Sequence, residues 1–151
     1  MRKPKFKNVT LSADFCVVGG GMAGICAAVA AARHGARTVL VQDRPVLGGN
    51  ASSEVRMWIC GAHGKDNKEG GLLEEIMLES LRWNPSRHYN VWDHILQNFV
   101  AREPNLTLLL NCTCTGVKTD GDSISRIDAW QLTTQTVYMI EAKAYADCSG
   151  D

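Results

Sequence analysis

A glycine-rich turn constrains this chain more than any other feature of its sequence. Gly19, Gly21 and Gly24 are spaced as G-x-G-x-x-G. Residues 13–18, just before the turn, are short, β-branched and aromatic, which predicts a buried strand. Residues 22–34, just after it, are mostly alanine with one apolar face, which predicts a helix. The core of the fold is therefore expected to start with a strand, a tight turn and a helix.

Each glycine has a physical purpose in such a turn. Gly19 permits the tight bend, Gly21 lets the backbone approach a pyrophosphate without a Cβ in the way, and Gly24 lets the helix pack closely on the sheet. Met22 and Ala23 lie in the first helical turn, where unpaired N–H groups and a partial positive charge suit phosphates. The alternative is a glycine turn that merely connects strand to helix.

The residues after the helix favour the binding interpretation. Gly35 supplies a left-handed helix end, and residues 38–41 predict a second buried strand, parallel to the first with a right-handed crossover. The complete β-α-β context predicts a dinucleotide site. Such a unit usually carries an acidic ribose ligand about twenty residues further on. Gln42 occupies that place and Asp43 follows it, so either could meet the ribose, and Arg44 joins these candidate contacts.

The rest of the chain predicts further helices and strands in a single domain. Two amphipathic helices are expected at residues 71–83 and 91–102. Buried or alternating strands are expected at residues 106–110, 112–118, 124–132 and 136–145, the last three as a meander. The predicted fold class is α/β, a Rossmann-like FAD/NAD(P)-binding domain with a parallel central sheet, helices and an antiparallel β-meander.

Four parts of the sequence are distinctive in combination: residues 19–24, the helix end at 31–36, the strand at 38–41 and the stretch Leu47-Gly48-Gly49-Asn50-Ala51-Ser52. Together they resemble the N-terminal part of the FAD-dependent oxidoreductases. That group has the glutathione-reductase-like fold and includes the fumarate reductase flavoproteins. The resemblance implies FAD as the cofactor. It also implies a loop that passes the pyrophosphate and ribityl chain, with contacts at Gly48, Gly49, Asn50, Ser52 and Ser53.

The resemblance extends along nearly the whole chain. The helix and strand over residues 92–116 resemble the segment that presents backbone atoms to adenine, which implies that Cys114 lies nearby. The final stretch resembles the family's returning strand and small-residue turn, which implies contacts at Ser149, Gly150 and Asp151. The family continues beyond this turn into a substrate-binding region. Residues 13–151 are thus expected to be an incomplete N-terminal FAD-binding domain, after a flexible basic leader at residues 1–12.

Catalytic groups are only weakly indicated. Cys60 and His63 follow the proposed flavin loop, where a redox thiol or a proton donor is conceivable. A packed thiol and a loop histidine are the simpler interpretation. Cys112 and Cys114 share one face of a predicted strand, but two thiols fall short of the four ligands of a zinc site. No metal is expected.

The composition of the chain limits the classes of partner that it can be expected to bind. Sixteen basic residues balance sixteen acidic ones, so bulk charge gives no support to nucleic-acid binding. No apolar run approaches the roughly 18 residues of a membrane span. Six cysteines without a CxxC and no visible signal peptide favour the cytoplasm.

The main hypothesis is a flavoprotein oxidoreductase that passes hydride or electrons between FAD and an unknown small molecule. The alternative is a non-catalytic nucleotide-binding module or a truncated, inactive fragment that needs a further C-terminal region to cover the flavin. An NAD-binding Rossmann domain is disfavoured by the loop at Gly48 and Gly49 and by the meander.

Overall fold

The computed structural model describes residues 6–61, 65 and 69–150, and shows an α/β fold. Along the chain its helices and strands are β1 (Lys7–Val18), α1 (Met22–Arg33), β2 (Thr38–Val41), a short 3-10 helix (Gly49–Ala51), α2 (Gly71–Trp83), α3 (Tyr89–Ala101), β3 (Leu106–Leu109), β4 (Cys112–Asp120), β5 (Ser123–Gln131) and β6 (Thr136–Asp147).

The strands of the described residues form one six-stranded sheet in the order β3-β2-β1-β6-β5-β4. The four strands β3, β2, β1 and β6 run parallel, and β4 and β5 pair antiparallel next to β6. Val18 at the end of β1 is in register with Val41 of β2 and with Asp147 of β6. The carboxyl ends of three parallel strands therefore meet at one edge of the sheet, where ligands of open α/β sheets bind.

The predicted fold class is confirmed, and most elements end within two residues of their expected limits. Helix α2 has the predicted bounds, and α3 begins at Tyr89, two residues earlier than expected. Helix α1 ends at Arg33, and Gly35 after it takes the left-handed backbone that the sequence predicted, with φ of 89°. None of the helices in the described ranges is long and apolar enough to cross a membrane.

Strand β1 is longer than the sequence predicted. It begins at Lys7, and residues 7–12 pair in parallel with β6, from Lys7 opposite Thr136 to Ser12 opposite Glu141. The expectation of a flexible leader at residues 1–12 is therefore wrong for residues 7–12, while residues 1–5 lie outside the described residues. Val9 and Leu11 alternate with polar neighbours, which is the pattern of a half-exposed strand. The prediction considered only the fully buried part.

Two apolar clusters hold the helices and the meander to the sheet. Successive residues of β1 point to opposite faces of the sheet. Val17 packs with α1 and α3 through Ile25 and Phe99. Cys16 packs on the other face with residues of the meander such as Ile140. Because both faces are covered at this point, the end of β1 is a fixed platform for the turn that follows it.

Candidate functional site

Two of the motif glycines are required by packing within the chain. Gly19 has φ of 101°, a backbone conformation that favours glycine, and its amide donates to the Val41 carbonyl oxygen at 2.8 Å. A Cβ on Gly19 would overlap the Cys148 carbonyl group, and a Cβ on Gly24 would overlap the Gly19 carbonyl oxygen. The bend and the close helix packing predicted for these two glycines are confirmed.

Gly21 is different, because no described part of the protein requires a glycine there. Its backbone is in the ordinary extended region, with φ of −67° and ψ of −179°, and a Cβ would meet no atom within 4 Å. The residue lines an open cleft. A side chain at this position would project into the cleft, so the glycine leaves open the space that a close-approaching ligand needs.

Helix α1 begins at this same place without a side-chain cap. Gly21 is the N-cap, and the first turn carries no acidic residue. The first intrahelical bond runs from the Ile25 amide to the Gly21 carbonyl oxygen at 2.9 Å. The amides of Met22 and Ala23 precede that bond, and both residues line the cleft. Their orphan N–H groups and the helix dipole together favour an anion.

The turn after β6 lies directly against the glycine turn. The Cys148 amide donates to the Val18 carbonyl oxygen at 2.7 Å. The Ser149 amide and hydroxyl donate to the Asp147 carboxylate at 3.0 and 2.6 Å. These two hydrogen bonds lower the pKa of Asp147 below its usual value. Ser149 and Gly150 line the cleft, and Asp151 lies outside the described residues.

The two candidate ribose ligands at the end of β2, Gln42 and Asp43, differ in exposure and in hydrogen bonding. Gln42 is only 4% exposed, and its carboxamide accepts from the Gly20 amide at 2.7 Å and donates to the Val46 carbonyl oxygen at 3.0 Å. These two bonds use one of the two N–H donors and one of the two oxygen lone pairs of the carboxamide, and they hold its direction toward the chain itself. Asp43 is exposed and lines the cleft. The geometry therefore favours Asp43 over Gln42 as the group free to meet a ligand.

Arg44 completes this end of the cleft. Its guanidinium group forms an ion pair with Glu54 at 2.9 Å, and both residues line the cleft. The hydrogen bond to Glu54 raises the pKa of Arg44 above its usual value. The pair joins the end of β2 to the loop that follows the 3-10 helix.

The loop after β2 comes close to the glycine turn. Gly48, with φ of 107°, forms an isolated parallel bridge with Gly21, and its amide donates to the Gly20 carbonyl oxygen at 2.8 Å. A Cβ on Gly48 would come within 2.7 Å of Leu96 Cδ1. Gly48, Gly49 and Asn50 line the cleft. The loop thus forms one wall of the cleft beside the glycine turn.

The two serines of the same loop do not line the cleft. Ser52 is buried, and its hydroxyl accepts from the Glu54 amide at 3.3 Å. The Ser53 amide donates to the Asp93 carboxylate on α3 at 2.9 Å. These bonds attach the loop to its own backbone and to α3, so the serines have a structural place in this conformation.

The cleft has a volume of about 1130 Å³ and is longer than the motif residues alone indicate. Cys114 lines it, together with Cys112, at the start of β4. Sequence reasoning missed an exposed apolar wall formed by Val55, Met57 and Trp58, of which the Trp58 side chain is 76% exposed. The sequence feature that could have indicated this wall is a run of large apolar residues between two small-residue loops. Periodicity alone could not tell whether that run was buried.

All six cysteines are free thiols. Burial raises the pKa of Cys16 to about 12 and that of Cys112 to about 11, so both are poor nucleophiles at neutral pH. Cys60 is exposed but does not line the cleft. His63 lies outside the described residues. Within the described ranges, no group of three or more His, Cys, Asp or Glu residues could hold a metal ion.

Comparison with solved structures relates this architecture to known flavoenzymes. The chain superposes on a variant of E. coli quinol fumarate reductase FrdA with a TM-score of 0.67 and 17% identity, over 94% of this chain and 33% of that one. For the myxobacterial FAD-dependent halogenase CndH the TM-score is 0.63 at 18% identity, over 92% and 37% of the two chains. L-proline dehydrogenase from P. horikoshii gives 0.60 at 18% identity, over 97% and 24%.

These similarities concern the fold, since the identities are low. The chain spans between about a quarter and two fifths of the length of these three structures. The family model described as FAD dependent oxidoreductase matches residues 14–151, which is most of the chain. The chain therefore belongs to the FAD dependent oxidoreductase family, whose cofactor is FAD.

Proposed function

We propose that this chain binds FAD in the cleft at the carboxyl ends of β1, β2 and β6, as the cofactor-binding portion of a flavin-dependent oxidoreductase. The observation that carries the proposal is the open space at Gly21. Packing accounts for glycine at Gly19 and Gly24, but not at Gly21, where a Cβ would meet only the cleft. A dinucleotide pyrophosphate approaching the uncapped start of α1 accounts for it.

Different residues of the chain would contact different parts of the cofactor. The backbone of Gly21, Met22 and Ala23 would hold the pyrophosphate, and the Asp43 carboxylate would accept hydrogen bonds from the ribose hydroxyls. The wall formed by Gly48, Gly49 and Asn50 would pass the ribityl chain. Cys114 also lines the cleft, and we assign it to the adenine end of the cofactor, as the resemblance implies. Ser149 and Gly150 would approach the cofactor from the turn after β6.

When bound, FAD supplies the redox chemistry by accepting and passing on hydride or electrons. The described residues would contribute binding and orientation of the cofactor. The exposed apolar wall at Val55, Met57 and Trp58 supports a covering partner for the flavin, because large apolar side chains on an open cleft favour burial. We propose that a further region of the whole protein covers this wall and supplies the groups that face a small-molecule substrate.

The domain division follows from the same proposal. Residues 13–151 would be the FAD-binding domain of a longer flavoprotein, with the first half of β1 extending its sheet. Six free thiols suit a reducing compartment, which supports the cytoplasm as the location. A non-catalytic nucleotide-binding module would use the same cleft, but the family match favours the oxidoreductase.

Titration with FAD, FMN and NAD tests this function. We expect FAD to bind more tightly than FMN, which lacks the adenosine and the second phosphate, and more tightly than NAD. Asp43→Ala should weaken FAD about tenfold or more, because it removes charged hydrogen bonds worth about 1.5–3 kcal/mol each. Asp122→Ala is the matched control, since Asp122 is an exposed carboxylate in the turn between β4 and β5 and does not line the cleft.

Equal affinities for FAD and FMN would contradict a dinucleotide site. Equal losses in the two aspartate variants would exclude Asp43 as the ribose ligand.

A further inference from the structure

Gln42 lines the cleft and is hydrogen-bonded through both its backbone and its side chain. Its backbone amide donates to the Leu109 carbonyl oxygen at 2.9 Å, and its backbone carbonyl accepts from the Cys112 amide at 2.9 Å. Its side chain accepts from the Gly20 amide at 2.7 Å and donates to the Val46 carbonyl oxygen at 3.0 Å. The residue therefore joins the end of β3, the start of β4, the glycine turn and the loop after β2.

Gly20, the partner of this side chain, is held on both sides. Its amide donates to Gln42 Oε1, and its carbonyl oxygen accepts from the Gly48 amide at 2.8 Å. A Cβ on Gly20 would come within 2.6 Å of Leu47 Cδ2 and 3.0 Å of Gln42 Cβ. The middle of the turn thus fits into a slot formed by residues that lie beyond β2. The position of Gly21, the next residue, depends on that slot.

The donor and acceptor pattern at this place suits a carboxamide. One end must accept from Gly20 and the other must donate to Val46. A carboxylate could accept from Gly20, but it has no hydrogen to offer Val46 and would face that carbonyl oxygen with a negative charge. A protonated carboxyl group has both functions and nearly the same shape as the carboxamide. The choice of glutamine over glutamate is therefore explained by contacts within the chain.

We infer that Gln42 is a positioning residue that sets the conformation of the phosphate-binding turn through Gly20. This inference rests on the proposed binding of a dinucleotide at that turn, and it assigns the ribose contact to a different residue. In this chain the Gln42 side chain, at the end of β2, would act on the phosphates through the Gly20 backbone amide.

Three variants separate this role from simple structural support. Gln42→Glu keeps the shape and makes the donor depend on pH, and Gln42→Met removes both hydrogen bonds at all pH values. Gln131→Glu is the matched control, because the Gln131 carboxamide is also bonded at both ends, donating to the Leu110 carbonyl oxygen at 2.9 Å and accepting from the Thr134 hydroxyl at 2.7 Å, yet lies outside the cleft.

The primary measurement is ADP affinity by calorimetry at pH 8 and pH 5, expressed relative to the wild-type chain at the same pH. The charged side chains that line the cleft, Asp43, Arg44, Glu54 and Asp147, are present in every variant and in the wild-type chain, so their own titration affects both members of this ratio. Circular dichroism on each sample reports whether the chain is folded.

We expect Gln42→Glu to bind ADP about tenfold or more weakly than wild type at pH 8, since a buried polar partner is lost. Binding should return to within about threefold at pH 5, because burial raises the pKa of an introduced carboxyl group and the acid form restores the donor. Gln42→Met should be weak at both pH values, and Gln131→Glu should match wild type. Folded Gln42→Glu that binds as wild type at pH 8, or stays as weak as Gln42→Met at pH 5, would overturn the inference.

A second measurement needs no ligand. Hydrogen exchange by NMR should show a protected Gly20 amide in the wild-type chain, loss of that protection in Gln42→Met, and no change in Gln131→Glu. An unprotected Gly20 amide in the wild type would refute the positioning role. If wild-type Gly20 is protected but neither ADP nor FAD binds, the proposed function fails while the contact stands, so the two failures are distinguishable.

Discussion

Substitutions at two glycines of the same motif should separate effects on FAD binding from effects on the stability of the fold. Gly21→Val places a side chain in the open space of the cleft, where a Cβ meets no atom of the described protein within 4 Å. Gly24→Ala places a methyl group against the Gly19 carbonyl oxygen and 3.3 Å from Cys148 Cβ. The first change should abolish FAD binding with little effect on the fold, and the second should destabilise the fold directly.

The cost of Gly21→Val to the apo protein is small. The backbone at Gly21, with φ of −67° and ψ of −179°, is accessible to valine. The loss of glycine at the N-cap costs about 0.5–1 kcal/mol. The lower entropy of the unfolded chain offsets about 0.4–1 kcal/mol of that. The apo Tm should therefore change by no more than about 2–4 °C, the shift expected for 1 kcal/mol in a chain of this size.

The effect of Gly21→Val on the cofactor is much larger. Valine methyl groups would occupy the place proposed for a phosphate oxygen and hold it away from the amides of α1. Two charged hydrogen bonds lost at about 1.5–3 kcal/mol each correspond to about 100-fold weaker binding or more. Retention of FAD on a desalting column should be abolished.

Gly24→Ala serves as the opposite control. Overpacking in a filled site costs about 1–3 kcal/mol or more, and alanine regains about 1 kcal/mol of helix propensity. The overlap with the Gly19 carbonyl group involves backbone and leaves little room to relax, so the cost should exceed the gain. We expect the apo Tm to fall by several degrees, at about 2–4 °C per kcal/mol.

Thermal unfolding by circular dichroism and FAD titration by flavin fluorescence, run on both variants, give the two readouts. Gly21→Val that still binds FAD at wild-type affinity would refute the assignment of the open space to the pyrophosphate. Gly21→Val that unfolds several degrees below Gly24→Ala would refute the distinction between a ligand-facing and a packing glycine.

Two further predictions concern ionisable groups. Ser149 donates two hydrogen bonds to the Asp147 carboxylate and so lowers its pKa below the usual value. This turn is therefore stabilised above the usual carboxyl pKa and loses that stabilisation as pH falls through the lowered value. The Ser149 amide shift in an NMR titration should therefore move at a pH below the usual range of an aspartate carboxyl group, and a midpoint within or above that range would contradict the contact. Iodoacetamide at pH 8 should modify exposed Cys60 before Cys16, whose pKa burial raises to about 12. Mass spectrometry of the peptides checks the order, and earlier modification of Cys16 would refute its burial.

Much of the fold could be predicted because its signals are local. The glycine spacing, the alanine-rich helix and the left-handed Gly35 each depend on neighbouring residues, and they defined the carboxyl end of β1, helix α1 and strand β2 closely. The first half of β1 was missed because its polar residues are stabilised by pairing with β6, more than a hundred residues away. A contact between distant segments leaves a weak trace in the sequence of either one.

The sequence predicted which segments form the candidate site better than it predicted the directions of individual side chains. The glycine turn, the loop at Gly48 and the turn after β6 converge on one cleft, as expected from the resemblance. The direction of Gln42 could not be read from spacing, because it depends on a buried hydrogen bond to Gly20. The exposure of Trp58 could not be predicted either, because it depends on which other parts of the chain pack against this side chain.

The central claim is that the open cleft at Gly21 holds FAD. Its most direct test is to titrate the purified chain with FAD, record the flavin absorption spectrum, and measure the flavin retained after desalting. The account predicts a yellow protein with close to one FAD per chain and a flavin band perturbed from that of free FAD. A folded but colourless chain that retains neither FAD nor ADP would contradict it.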